Sequence, residues 1–367
     1  MRAMNLWLPA YLRQRPWKPP EGKMVDVMIA VCDHFEPFHA TDKKGAMERM
    51  RLWNEAYPKL ISQFRDADGQ HPRHSFFYPI EQYDRDVLCS LQELVQASGG
   101  EVELHLHHKD DTEAGLREAL ARGKDDFVKF GFLSRDATGK LVYAFVHGNW
   151  ALDNSHPQGR NCGVSNELSI LQDTGCYADF TMPSAPDATQ TRIINQIYYA
   201  EDTPAPKSHD HGVRVKAGSA GGGQGRLLLV QGPLGLNWER RKFGILPRLE
   251  NSDLTGANAA RMDRMRVWTR MGISVEGRPE WLFIKLHSHG AVPRNSSMLL
   301  GEPMRRFHED LLSQWNDGKR FRVHYVSARE MVNIIHAAEN GHSGDPGQYR
   351  DYRYRLVTPK FSKAASA

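Results

Sequence analysis

Short apolar runs alternate with amphipathic stretches along most of the chain. Val25-Asp26-Val27-Met28-Ile29-Ala30-Val31-Cys32 is almost continuously apolar, the pattern of a strand covered on both faces. From Gly45 to Phe64, the residues Met47, Met50, Trp53, Ala56, Tyr57 and Leu60 recur at three- and four-residue spacing and predict a helix. His74–Ile80 reads as a second strand, Asp84–Ala97 as a helix stopped by Gly99-Gly100, and Glu101–Leu106 as a third strand. The alternation continues with strands at Leu141–Val146, Tyr177–Thr181, Leu227–Gln231, Glu280–Lys285 and Phe321–Val326. Helices are expected at Ser165–Asp173, Ala257–Gly272, Glu302–Asp317 and Ala328–Glu339, the last capped by Ser327. Strand followed by helix, repeated with short connections, argues a parallel α/β architecture.

Residues 1–22 read as an arm broken by Pro9, residues 23–337 as one domain, and 338–367 as a tail. The stretch 201–225, with Pro204, Pro206 and a glycine run, reads as a flexible insertion. The N-terminus lacks a continuous apolar core and a small-residue cleavage site, so no signal peptide is expected. No apolar run approaches the ~18 residues of a spanning helix. Cys32, Cys89, Cys162 and Cys176 include no C-x-x-C pair, which suits buried thiols in a reducing, cytoplasmic setting. Contact of residues 1–18 with a membrane surface stays open. The 367 residues carry 48 Lys+Arg and 44 Asp+Glu, a net +4 with the two signs interspersed. No basic cluster suggests nucleic acid, so the expected partner is a neutral or small substrate.

The candidate chemistry gathers where strands end. His105-Leu106-His107-His108 closes the third strand, and residues two apart on a strand face the same way. His105 and His107 can therefore offer nitrogens to one divalent ion, with His108 joining if the loop turns inward. Asp33-His34-Phe35-Glu36 follows the first strand: Asp33 is a metal ligand or general base, His34 a further ligand, and Glu36 the base if Asp33 is taken by the metal. His287-Ser288-His289 ends a late strand and offers a general acid. His147, Asn149, Trp150 and Asp153 look like a substrate loop, with Trp150 placed to stack on a sugar ring and Trp238 as a weaker candidate of the same kind. A barrel, complete or distorted, brings these strand ends together, whereas a flat open sheet would keep the outer ones apart.

In its order of motifs the chain resembles the polysaccharide deacetylase superfamily, the NodB-homology carbohydrate esterases. Val31-Cys32-Asp33-His34 stands where that family has a strand ending in paired aspartates. Leu104-His105-Leu106-His107-His108 stands at its metal-binding histidine motif, Phe145-Val146-His147-Gly148-Asn149-Trp150 at its third motif, and Leu286-His287-Ser288-His289 at its late catalytic histidine. Asn166–Phe180 also looks like the helix, glycine and strand that follow the third motif. The resemblance spans about residues 23–337. It departs from the family in having His34 for the second aspartate, a histidine only two or three residues after the first, and His147 in place of an arginine. It implies a distorted (β/α)7 barrel, a Zn2+ ion (with Fe, Mn, Co or Ni as other candidates) and hydrolysis of N- or O-acetyl groups on a sugar or polysaccharide. An amidohydrolase-like metallohydrolase and a glycan- or partner-binding barrel without turnover are the other classes in view.

Overall fold

The structure is a computed structural model in which residues 3–219 and 223–357 are described. Its centre is a large, mostly parallel sheet with helices packed on it. In chain order the strands used below are β1 (Val25–His34), β2 (His74–Pro79), β3 (Glu101–Leu106), β4 (Leu141–His147), β5 (Cys176–Asp179), β6 (Ile197–Ala200) and β7 (Leu227–Val230). They are followed by β8 (Gly235–Lys242), β9 (Leu246–Glu250), β10 (Asp253–Leu254), β11 (Trp281–Ser288) and β12 (Phe321–Tyr325). The sheet runs β10-β11-β1-β2-β3-β4-β5-β7-β6, while β8 and β9 form a separate antiparallel hairpin. The helices are α1 (Met4–Arg13), α2 (Lys43–Ile61), α3 (Arg85–Ser98), α4 (Glu113–Val128), α5 (Glu167–Thr174), α6 (Met262–Arg270), α7 (Pro293–Leu299), α8 (Glu302–Trp315) and α9 (Ala328–Glu339). None is long and apolar enough to cross a membrane.

The middle of the sheet is held by β1. One edge pairs with β11 along its length; the other is shared, with β12 along Val25–Ile29 and β2 along Val31–His34. Alternation then sorts the side chains. Val25, Val27 and Ile29 pack under the helices, whereas Met28, Ala30 and Cys32 join Phe77, Val142, Ala144, Val146, Leu228, Val230 and Phe283 in an inner core. That inner core draws on both ends of the sheet, so the sheet is strongly curled. No closed barrel forms among the described residues: no ladder joins the β5–β7 end to the β10–β11 end. At this seam lie Pro183, Pro186 and Pro233, which have no N–H to donate to a ladder. The two ends meet instead through Lys285, whose buried ammonium donates to the Met182 carbonyl (3.1 Å).

Across the strand starts runs α9, buried along its whole length. Its capping box at Ser327 and Glu330 fixes the start, and Arg329 pairs with Glu101 at the beginning of β3 (2.8 Å). The arm is partly the helix α1, with Pro9 inside it and Trp7 buried against Leu234 and Ala185. Part of the tail is fastened too: Arg350 contacts Asp66, Asp68 and Glu330. Residues 220–222, within the glycine-rich stretch, lie outside the described residues, but the segment before them is built into the fold, with His209 wholly buried.

Candidate metal centre

Three strand ends converge on Glu36. The chain leaves β1 through His34, on the same face as inward Cys32, and Glu36 follows two residues later. A Glu36 oxygen lies 3.4 Å from His105 Nε2, 3.6 Å from His107 Nε2 and 4.0 Å from His289 Nε2. His39 approaches the other oxygen at 3.5 Å. The His34 ring stands 5.1 Å from that of His105 and 4.7 Å from that of His289, centroid to centroid. His34, Glu36 and His105 each offer a ligand atom, all within 4.8 Å of one another.

The imidazoles are aimed from behind. His105 Nδ1 bonds the Val146 carbonyl (2.7 Å) and His107 Nδ1 bonds Glu81 (2.7 Å), so each presents Nε2 to the centre. Nε2 of both His34 and His105 is buried without a hydrogen-bond partner. Unpartnered buried nitrogens around a carboxylate suit a divalent cation taking nitrogen and oxygen donors, so these residues fit the expected metal. Burial pushes the Glu36 carboxyl upward, but the close approach of the His105 imidazole and the charges of His107 and His289 outweigh it and hold it at about 2. Burial, reinforced by neighbouring cations, holds His34 and His287 well below the ordinary imidazole range. Burial also lowers His107, but Glu81 and Glu36 more than compensate and raise it.

Asp33 departs from expectation. One position earlier on β1, it faces the helix layer rather than the centre, and both of its oxygens are engaged. Oδ2 bonds His74 Nε2 (2.8 Å) and Oδ1 accepts from the Gly290 N–H (2.6 Å). Asp33 therefore anchors the turn after His289 instead of joining His105 and His107, and Glu36 supplies the carboxylate. Strand alternation is the reason: a residue beside an inward His34 must point outward.

A cavity of about 510 Å3 opens over the centre, walled by Glu36, Glu81, His107, Asn149, Trp150 and His289. A second lobe of about 450 Å3 shares Trp150 and His289 with it and adds His287, Asp253 and Pro183. Burial raises the Asp253 carboxyl to about 6, despite Arg264 nearby. Among the expected substrate residues, Asn149 and Trp150 wall this cleft. Trp238 does not: it sits half-exposed on the β8–β9 hairpin, outside both lobes. His147 and Asp153 are also elsewhere, wholly buried. His147 shares the parity of Tyr143 and Phe145, which pack under the helices, and meets His108 and Glu167 there. His108 accordingly belongs with His147 and not with His105 and His107.

Sequence reasoning missed Glu81, His39, Asp253, Glu167 and His209. Glu167 opens a helix, where a glutamate is ordinary, and His209 lies in a segment read as a flexible insertion; neither carries a local signal. No protein-family profile matches the chain, and no curated protein matches it.

Proposed function

We propose that the chain is a metal-dependent hydrolase that removes an acyl group from an amino sugar or related glycan, working in the cleft above Glu36. The carrying observation is the ring of imidazole nitrogens around one buried carboxylate, open on one side to a two-lobed cavity. A centre with protein donors on one side and a cavity on the other is the arrangement of a catalytic rather than a structural metal. His34, Glu36 and His105 would hold the ion, with His107 beside them. A divalent ion there supplies the positive charge that polarises a substrate carbonyl and makes water acidic.

The remaining work falls to the chain's own groups. His289 faces both lobes and handles proton transfer to the leaving nitrogen or oxygen, with His287 behind it. Asp33 is a positioning residue: through the Gly290 N–H it fixes the turn that presents His289, and Trp53 Nε1 holds the Gly290 carbonyl of the same turn (3.2 Å). Trp150 offers an aromatic wall on which a sugar ring stacks, and Asn149 an amide for its hydroxyls. We also read the curled sheet as a distorted barrel of the (β/α)7 type, on the strength of the shared inner core and the Lys285–Met182 contact.

The test is acetate release from N- and O-acetylated mono- and oligosaccharides by zinc-loaded protein, with and without chelator. Chelator-sensitive release that disappears in His105→Ala is the expected result. Release from non-sugar amides alone would move the assignment to an amidohydrolase-like activity. Zinc-loaded protein that binds these sugars without releasing acetate would make it a binding protein.

A further inference from the structure

A second histidine–glutamate cluster serves no step above. His108 Nε2 lies 3.1 Å from Glu167 Oε1, and His147 Nε2 lies 3.6 Å from the same oxygen. These ligand atoms all fall within 4.8 Å of one another. Solvent is shut out, with the His147 and Glu167 side chains at 0% exposure and His108 at 6%.

Both rings are held from behind, as in the Glu36 centre. Asp111 Oδ2 holds His108 Nδ1 (3.1 Å), and the Gly148 carbonyl takes the hydrogen bond of His147 Nδ1. Donation from Nδ1 to a carbonyl leaves His147 Nε2 as a lone pair. That nitrogen has no hydrogen-bond partner although it is wholly buried, and it is directed at a carboxylate oxygen. Two acceptors facing each other in a dry interior are unfavourable unless positive charge lies between them. The other Glu167 oxygen accepts from the Asp153 N–H (2.6 Å), so the carboxylate cannot swing away freely. Asp153 Oδ2 in turn accepts from the Ser208 N–H (2.6 Å), beside His209. Asp153 Oδ1 and both His209 ring nitrogens are also buried without partners. Gly163 makes room for the arrangement: a Cβ there would stand 2.2 Å from the His108 ring.

We propose that His108, His147 and Glu167 bind a second divalent cation, sealed within the helix layer, which fastens the 148–154 loop to α5. Two imidazoles and one carboxylate suit Zn2+, and Asp153 Oδ1 and His209 are the groups at hand to complete a four-coordinate closed site. The loop needs fastening. Asn149, Trp150, Asp153 and Asn154 all have left-handed φ (51–58°), which Asn and Asp tolerate but a side chain as bulky as Trp150 rarely adopts. The same loop carries Trp150 into the cleft.

The proposal stands apart from the catalytic reading and is tested by counting zinc. Wild type and the double variant Glu36→Gln/His105→Ala are produced in zinc-supplemented medium, dialysed against metal-free buffer and analysed by plasma mass spectrometry. Two ions per chain in the wild type and one in the double variant are expected, the remaining ion being lost when Glu167→Gln is added. A zinc-edge anomalous map of wild-type crystals should place a peak among His108, His147 and Glu167, and this arm holds if the triple variant fails to fold. One ion in the wild type and none in the double variant overturns this proposal alone; no zinc in the wild type overturns it together with the metal-dependent reading. A zinc-edge map with no peak among these three residues also overturns it.

Discussion

The Glu36 and Glu167 clusters are built from the same parts in opposite settings. Each has one carboxylate facing imidazole Nε2 atoms, and each ring whose Nδ1 is bonded is held by a carbonyl or a carboxylate. They share β3 and β4, whose ends supply His105, His107 and His108 on one strand and His147 on the other. Alternation sends His105 to the inner face and His147 to the helix face. The Glu36 cluster opens to a cavity, with His107 and His289 about a third exposed, whereas the Glu167 cluster is almost wholly buried. Donor chemistry alone does not distinguish a reactive centre from a structural one; the covering does. An open cluster can exchange ligands and admit substrate, and a closed one can only hold.

Substitutions sharpen this contrast. Glu36→Gln should lower kcat/KM on the order of 10³-fold, the size seen when a charge-stabilising group is removed, in protein that is still folded at the assay temperature. Steady-state kinetics beside a thermal melt reads both. Glu167→Gln should do the reverse, destabilising by about 3–5 kcal/mol because it leaves buried imidazoles without their anion, with kcat of the folded fraction within a few-fold of wild type. Equilibrium urea unfolding checks it, and a large kcat loss at unchanged stability would merge the two roles.

Acid should also report on Glu36. In metal-free protein its carboxyl is held at about 2, against about 4.5 when unfolded, so its stabilisation is fully present above pH ~4.5. It is lost as the pH falls through 2, and amounts to ~3 kcal/mol in all. Stability measured from pH 5 to 2 should fall less steeply in Glu36→Gln by that amount. Two glycine variants complete the comparison. Gly163→Ala drives a Cβ into the His108 ring and should cost about 1–3 kcal/mol of stability. Gly148→Ala places its Cβ 2.4 Å from His107 and should also lower activity on the Glu36 side, read as a fall in kcat/KM. Smallest is Asp33→Asn, which retains an acceptor for Gly290 but weakens the His74 contact: a drop of about tenfold in kcat with zinc content unchanged is expected.

Much of the fold was legible because it is written in local periodicity. The strand at Val25, the helix packing Met50, Trp53 and Tyr57, and the helix from Ala328 to Glu339 occur where the apolar spacing places them. The helix Glu113–Val128 was missed because its exposed charges dilute the Leu116, Leu120 and Phe127 stripe. The hairpin Gly235–Glu250 was missed because it carries exposed Phe243, Ile245 and Leu246 rather than a clean alternation. At the site, the i, i+2 rule placed His105 and His107 on one centre. The same rule, applied to Asp33-His34, separates them: only one of two adjacent residues can face inward, and that one is His34. The division of His108 and His147 from the other histidines depends on a loop turn and on α5, which no short-range pattern encodes.

The 149–154 loop also sets an order of assembly. Its left-handed residues precede Glu167 and Ser208 in the chain, yet Asp153 is held in place by these later groups. As the polypeptide emerges from a ribosome, the aromatic wall at Trp150 is synthesised well before the anchors that hold it. That wall is therefore settled only after some sixty further residues have been made. A nascent chain cut short before Ser208 would carry the Glu36 donors from β1 and β3 but lack a settled surface against which to seat a sugar.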